Sequence, residues 1–131
     1  MYVGLKSENT VVIILLKGFR NEGYKKYLES ILNKPNVKKC HIFIEKGVNI
    51  GYIRVFTRYT LLEITDIDVY IHCKDKFMRK TLKSYFENLN NITVMNINKP
   101  IYFRIAKNYY RKIVVGNRCG IAISDVRNKE D

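Results

Sequence analysis

Acidic residues, cysteine, proline and tryptophan are all scarce in this chain of 131 residues. It has 12 Asp and Glu against 24 Lys and Arg, together with 3 cysteines, 2 prolines and no tryptophan. The cysteines, Cys40, Cys73 and Cys119, are odd in number and lack C-x-x-C spacing, so we expect neither a disulfide framework nor secretion. Long apolar runs are also missing. The longest, residues 11–16, is too short to cross a bilayer, so we expect no membrane-spanning segment.

Hydrophobic residues and positive charge are abundant. With 47% hydrophobic and 12% aromatic residues, the chain has enough apolar material for a folded core. Its formal net charge of +12 indicates a polyanionic partner, most often nucleic acid and less often an anionic membrane surface. The frequent Lys, Asn, Ile and Tyr are typical of an A+T-rich genome, as in organelles, viruses and parasites.

The first half of the chain is predicted to contain a helix and an antiparallel meander. Asn9 or Thr10 can cap a helix over residues 10–22, and Gly23 lies where a helix stop is expected. Periodicity alone does not separate this apolar run from a buried strand; length and the terminal glycine favour the helix. Residues 37–46 and 49–59 alternate at period two, which predicts antiparallel strands packed on that helix.

The second half is predicted to be sheet interrupted by one helix. Residues 64–73 alternate as a strand does, and a helix follows at about residues 74–90 with a basic outer side. Its expected buried face is formed by Phe77, Leu82, Tyr85, Phe86 and Leu89. Short strands follow at residues 92–98, 100–107, 109–115 and 119–124. The predicted fold class is α+β with two small subdomains, residues 1–70 and a mostly antiparallel C-terminal subdomain at residues 71–131.

Two aspartates are candidates for a metal site. Asp66 and Asp68 lie two residues apart on a predicted strand, so both would project from one face and could hold a divalent metal, as nucleases require. A restriction-type nuclease also needs an E-x-K on a neighbouring strand, and the nearest candidate, Glu45-Lys46, lacks the intervening residue. Two solvent-facing strand carboxylates are therefore the simpler interpretation.

The pairs Cys40-His41 and His72-Cys73 suggest a zinc site, but strand geometry opposes it. Neighbouring residues on a strand point to opposite faces, so only one member of each pair could face a shared metal. Core cysteines and partly buried histidines are the expected outcome. There is also no nucleophile elbow and no glycine-rich phosphate loop, so we expect no catalytic set, no cofactor and no small-molecule substrate.

Basic and aromatic residues are interleaved in the last third of the chain. Cationic side chains neutralise phosphates while aromatic rings stack on unpaired bases, so this composition suits RNA of irregular structure. The alternative is a solvated sheet face whose aromatic residues belong to the core. The residues concerned are Lys99, Tyr102, Phe103, Arg104, Lys107, Tyr109, Tyr110, Arg111, Lys112 and Arg118.

Two segments resemble small-subunit ribosomal protein family eight. Residues 15–24 (LLKGFRNEGY) with Tyr27 are similar to a family motif in which a helix ends at a glycine and a strand returns along it. Residues 97–100 (INKP) with Tyr102 and Arg104, followed by residues 118–124 (RCGIAIS), are similar to a second motif at about the family's spacing. The region at residues 33–92 is longer than the bacterial pattern, and Ser124 is followed by Asp125 rather than by the family's threonine. The insertion, together with the loss of the family's N-terminal helix and of its closing segment, resembles a divergent mitochondrial form.

The resemblance implies a structural protein that binds the central domain of small-subunit ribosomal RNA, aids assembly and contacts neighbouring ribosomal proteins in the mitochondrial matrix. We expect no enzymatic activity, and the absence of an Arg-rich transit segment after Met1 suggests organelle encoding. The expected RNA-binding residues are Asn98, Lys99, Tyr102, Arg104, Arg118 and Ser124 in the C-terminal half, with Lys6, Lys25 and Lys26 as secondary phosphate contacts.

Two alternatives from other classes stay open. One is a small viral or mobile-element nuclease that uses Asp66 and Asp68 with Mg²⁺. The other is a basic protein-interaction module, such as a virus-encoded inhibitor, whose target is an acidic protein surface.

Overall fold

The computed structural model describes residues 1–20, 25–97 and 103–104. This part of the chain combines helices with one mixed sheet, so the predicted α+β class is confirmed. The strands are β1 (Tyr2–Ser7), β2 (Thr10–Leu15), β3 (Lys39–Ile44), β4 (Asp68–Cys73) and β5 (Ile92–Met95). The helices are α1 (Lys25–Leu32), α2 (Ile50–Val55), a π-helical segment (Phe56–Leu61), α3 (Leu62–Ile64) and α4 (Lys76–Tyr85).

The five strands lie in the sheet in chain order, β1-β2-β3-β4-β5. β1 pairs antiparallel with β2, whereas β2, β3, β4 and β5 are mutually parallel. Parallel neighbours need a crossover, and here each described crossover contains helix. Each parallel strand is added on the same side of the one before it. Right-handed crossovers in such a sheet all place their helices on the same face, so the helices are expected on one face of the sheet.

The packing agrees with that topology. The larger core joins sheet residues such as Ile13 and Ile42 to helix residues such as Leu28, Ile53 and Leu82. We call this side the helical face. A smaller cluster lies on the opposite side, here called the second face, and consists of Tyr2, Val12, Ile14 and Phe43 with Leu16 and Phe103 packed against it.

The helix predicted over residues 10–22 is wrong, because residues 10–15 form strand β2. All six residues of β2 are buried, since the strand lies between β1 and β3 and its side chains alternate between the two cores. A strand covered on both faces has a continuous apolar run rather than alternation, and such a run can be mistaken for a helix. Gly18, with φ +92°, follows in the turn. Residues 15–20 of the first family-like motif are thus the end of a strand and a turn, and residues 21–24 lie outside the described residues.

The predicted antiparallel meander is also wrong. Residues 39–44 do form strand β3, but most of residues 49–59 are helical. The side chain of Asn49 caps the N-terminus of α2, because its Oδ1 accepts hydrogen bonds from the backbone N–H of Gly51 at 2.8 Å and of Tyr52 at 3.3 Å. The helix between β3 and β4 makes those strands parallel instead of antiparallel.

Three elements of the second half, β4, α4 and β5, lie inside the ranges that the sequence predicts, and each is shorter than predicted. The subdomain boundary expected at residue 70 falls inside β4, and β5 continues the same sheet beyond it. Of the strands predicted after residue 98, only Phe103 and Arg104 are described, and both are helical rather than extended. The other predicted strand residues there lie outside the described residues.

Candidate nucleic-acid interface

Four of the nine predicted RNA-binding residues lie in the described part of the chain. Lys25 and Lys26 are exposed at the start of α1, and Arg104 is exposed as well. Lys6, at the end of β1, is half-buried, and its charge acts on His72 of the second face. Lys6 and Lys25 therefore lie on different sides of the sheet. The other five, Asn98, Lys99, Tyr102, Arg118 and Ser124, lie outside the described residues.

Lys25 differs from Lys26 in having a partner. Its Nζ forms an ion pair and a hydrogen bond with Oε2 of Glu63 in α3. Both side chains of the pair remain about half exposed, so the interaction is screened by water and stabilises the fold little. It does reduce the positive charge that Lys25 presents to a phosphate.

A strongly basic surface lies elsewhere, on α4 and beside its N-terminal end. The ten residues of α4 include four basic and no acidic side chains. We call this area the Phe77 surface, and it consists of Lys46, Arg54, Lys74, Lys76, Phe77 and Lys80. All six residues are exposed. Its four lysines form no ion pair with any residue that the structure describes.

Local interactions fix where α4 begins and therefore where these lysines lie. Asp75 caps the helix, because its Oδ1 accepts a hydrogen bond from the backbone N–H of Met78 at 2.9 Å. Arg79 donates hydrogen bonds to the backbone carbonyls of Cys73 and Lys74 at 2.9 Å and 2.6 Å, which ties the first turns of α4 to the end of β4. Lys74 and Lys76 are consequently held beside the carboxyl end of β4.

Phe77 lines two grooves at once. The first groove, about 320 Å³, is formed by Phe77 with Lys46, Lys74, Asp75 and Lys76. The second, about 430 Å³, is formed by Phe77 with Arg54, Lys80, Thr81, Ser84 and Tyr85. The Phe77 side chain is 77% exposed, so its ring stands in solvent with cationic side chains in each groove.

Arg54 is oriented by an aromatic ring. Its guanidinium carbon lies 3.9 Å from the ring centroid of Tyr85, a cation–π contact. The contact covers one face of the guanidinium plane while Arg54 as a whole stays exposed. A guanidinium held in this way can still present its N–H edge to a phosphate.

A signal for this surface is present in the sequence, although none of its six members is among the predicted RNA-binding residues. The basic outer side of the helix is predicted, but Phe77 is assigned to its buried face. That assignment is wrong, whereas Leu82 and Phe86 are buried and Tyr85 and Leu89 pack against the same core as predicted.

The histidines and cysteines of the two suspected zinc pairs lie as strand geometry predicts. Cys40 and Cys73 are buried, and burial raises the pKa of each thiol, which makes the reactive thiolate rare. His41 and His72 lie instead on the second face, where Nδ1 of His41 is 2.9 Å from Nε2 of His72. Across the described ranges, no group of three or more His, Cys, Asp or Glu side chains could hold a metal ion.

His72 is held neutral by its surroundings. Burial lowers its pKa to about 4, and the nearby charges of His41 and Lys6 act in the same direction, while the backbone of Asn96 opposes them. The ring of Phe43 stacks on that of His72 with centroids 4.1 Å apart. His72 is therefore a packed part of the second face, and its neutral ring contributes no charge there.

Asp66 and Asp68 lie at the amino end of β4, whereas the Phe77 surface lies beyond its carboxyl end. Asp68 begins β4, and Asp66 precedes that strand rather than belonging to it, so the predicted strand placement of Asp66 is wrong. Both line one groove of about 490 Å³, together with Lys34 and Lys38. The groove is therefore lined by residues of both charges.

No membrane-spanning helix occurs among the residues that the structure describes. Comparison with models of protein families, with curated proteins and with solved structures finds no match to this chain.

Proposed function

We propose that this protein is a structural RNA-binding protein, a constituent of a mitochondrial small ribosomal subunit that contacts the central domain of its RNA and neighbouring proteins. The observation that carries the RNA-binding part is the Phe77 surface, where exposed cations without described partners flank an exposed aromatic ring. Cations of this kind bind phosphates and release counterions, which is the main source of affinity for nucleic acid. The net charge of +12 points to the same class of partner.

The assignment to the ribosome is more specific than RNA binding, and it rests on the two sequence motifs. Its second motif, residues 97–100 and 118–124, lies almost wholly outside the described residues. Its first motif is a strand end and a turn in this protein where the family pattern has a helix. The general RNA-binding function is thus independent of the ribosomal assignment, and the two can be tested separately.

Sedimentation tests the ribosomal assignment. Native protein from its source cells is run through a density gradient with and without ribonuclease, and the small-subunit fraction is probed. We expect co-migration with the small subunit that is lost when the RNA is digested. A light species unaffected by ribonuclease would contradict the assignment.

A metal-dependent nuclease is the second candidate. One observation favours it, namely that Asp66 and Asp68 line the same groove as Lys34 and Lys38. Carboxylates can hold Mg²⁺ and a lysine can stabilise a developing negative charge. Cleavage of RNA or DNA that requires Mg²⁺ and disappears in Asp68→Ala, but not in the Phe77 surface variant Lys80→Ala, would support this candidate over the first.

A further inference from the structure

Phe77 is the most exposed of the large hydrophobic side chains in the described part of the chain. It is 77% exposed, compared with 56% for Tyr59, 41% for Val55 and 39% for Tyr52. Single exposed hydrophobic residues are common and need no explanation. Phe77 differs because it forms the shared wall of two neighbouring grooves that each contain cations.

The positions of the lysines are unfavourable for the helix itself. Lys76 is the first residue of α4, and Lys74 precedes its cap. Positive charges near a helix N-terminus are repelled by the helix dipole, so these lysines do not stabilise α4. They become favourable when an anion lies beside them.

The two grooves that share Phe77 offer complementary chemistry. Lys46, Lys74 and Lys76 line one groove, Arg54 and Lys80 line the other, and Phe77 lines both. A single nucleic acid strand presents the matching order, with a flat base between two phosphates. In a duplex the base faces are covered by their neighbours, so only an unpaired base can stack on the ring.

We infer that the Phe77 surface binds single-stranded RNA, with one unpaired base stacked on the ring of Phe77 and the flanking phosphates held by the lysines of the first groove and by Arg54 and Lys80 of the second. The inference rests on the proposed RNA-binding function and adds the form of RNA and the site. An acidic protein segment or an anionic membrane would use the same charges but has no planar base to stack.

Fluorescence anisotropy with the full chain tests this inference. The probes are a short labelled oligouridine and a labelled RNA duplex of equal length. Phe77→Ala is expected to weaken oligouridine binding about ten-fold, because stacking on one aromatic ring is lost. Phe77→Tyr retains a stacking ring and should restore binding. Tyr59→Ala removes an exposed ring outside both grooves and serves as the matched control.

The salt dependence of RNA binding distinguishes the contribution of the Phe77 ring from that of the cationic side chains. Lys80→Ala should reduce the slope of log affinity against log salt by about 0.7 on oligouridine, since one phosphate contact is lost. Phe77→Ala should leave that slope unchanged. Because Phe77 is exposed, its replacement by alanine leaves the core intact, and circular dichroism checks that the variant folds.

Each contrary outcome has a distinct meaning. If the wild-type chain binds neither probe, the proposed function and this inference both fail. If it binds RNA but Phe77→Ala binds oligouridine as the wild type does, or loses duplex affinity equally, only the inference fails. If polyglutamate or phosphatidylserine vesicles bind as tightly as oligouridine and lose as much affinity in Phe77→Ala, the surface serves a protein or a membrane, and the inference is wrong.

Discussion

His41 and His72 occupy adjacent parallel strands, and Nδ1 of the first lies 2.9 Å from Nε2 of the second. One ring must donate and the other accept, so the contact needs at least one neutral imidazole. The rings also stack on their cross-strand neighbours, His41 on Tyr70 and His72 on Phe43. A second proton on this pair would break the hydrogen bond and place two positive charges side by side.

The first prediction concerns pH. The pKa of His72 is lowered to about 4, below the ordinary value of 6.5, so the unfolded state binds this proton more tightly than the folded state. Stability from the neutral ring is therefore fully present above about pH 6.5 and is lost as pH falls toward 4. The loss is on the order of 2–3 kcal/mol. Urea unfolding at a series of pH values measures it.

His72→Phe is the comparison variant for this prediction. It keeps an aromatic ring against Phe43 and removes the titrating group, so its free energy of unfolding should depend less on pH between 6.5 and 4 than that of the wild type. Carboxyl groups titrate equally in both proteins and cancel in the difference. Identical pH profiles would mean that His72 is not held neutral.

The sequence predicts part of this arrangement. Strand alternation correctly separates His41 from Cys40 and His72 from Cys73, because successive residues point to opposite faces. The hydrogen bond between the histidines depends on β3 lying beside β4 in parallel register. That neighbour relation is a property of the tertiary fold and is not contained in the alternation of either strand.

The second prediction uses Asp75, which caps α4 and also lines the first groove. Asp75→Ala removes the cap and should lower the free energy of unfolding by about 1 kcal/mol. Asp75→Asn keeps a good cap, so stability should change by only a few tenths of a kcal/mol. Both variants remove a negative charge close to Lys74 and Lys76 and should strengthen RNA binding about three-fold, as expected for one exposed charge interaction.

Chemical denaturation and RNA anisotropy on the two variants check the prediction for Asp75. The expected pattern is a stability difference between the alanine and asparagine variants with a shared gain in affinity. Weaker RNA binding in Asp75→Asn would show that the carboxylate helps to bind RNA and would contradict the electrostatic argument.

The third prediction separates Lys25 from Lys26. Glu63 is an ion-pair partner of Lys25, whereas Lys26 has no such partner in the ranges that the structure covers. If both lysines contact RNA, Lys26→Ala should reduce the slope of log affinity against log salt for single-stranded RNA by about 0.7. Lys25→Ala should reduce that slope less. Glu63→Gln should raise the affinity by freeing Lys25. Equal slopes in both lysine variants would show that the ion pair does not survive RNA binding.

The largest error in predicting the fold from the sequence concerns β2. Its residues, TVVIIL, are mostly β-branched, which favours a strand, but the run is followed by polar residues and a glycine as a helix would be. Burial on both faces removes the alternation by which strands are normally recognised. The position of β2 inside the sheet causes that burial, and position in a sheet is not readable from local sequence.

The misplacement of Phe77 has a geometric cause. Phe77 precedes Leu82 by five residues, and at 100° per residue it lies about 140° around the helix from that buried side chain. Met78, four residues before Leu82, lies only about 40° away and packs against the core instead. The spacing therefore identifies Phe77 as an apolar residue outside the buried stripe of a basic helix. The inferred RNA site depends on this residue.

The last prediction tests the helical face of the fold with two residues of α2. Ile53 is 1% exposed and belongs to the larger core, whereas Val55, two residues along the same helix, is 41% exposed. Ile53→Ala should lower the free energy of unfolding by about 2–5 kcal/mol, because it removes buried methyl groups and leaves a cavity. Val55→Ala should change it by no more than about 0.5 kcal/mol, since little surface is lost and alanine favours the helix. Urea unfolding of both variants measures the difference, and similar values for the two would show that α2 does not pack on the sheet through Ile53.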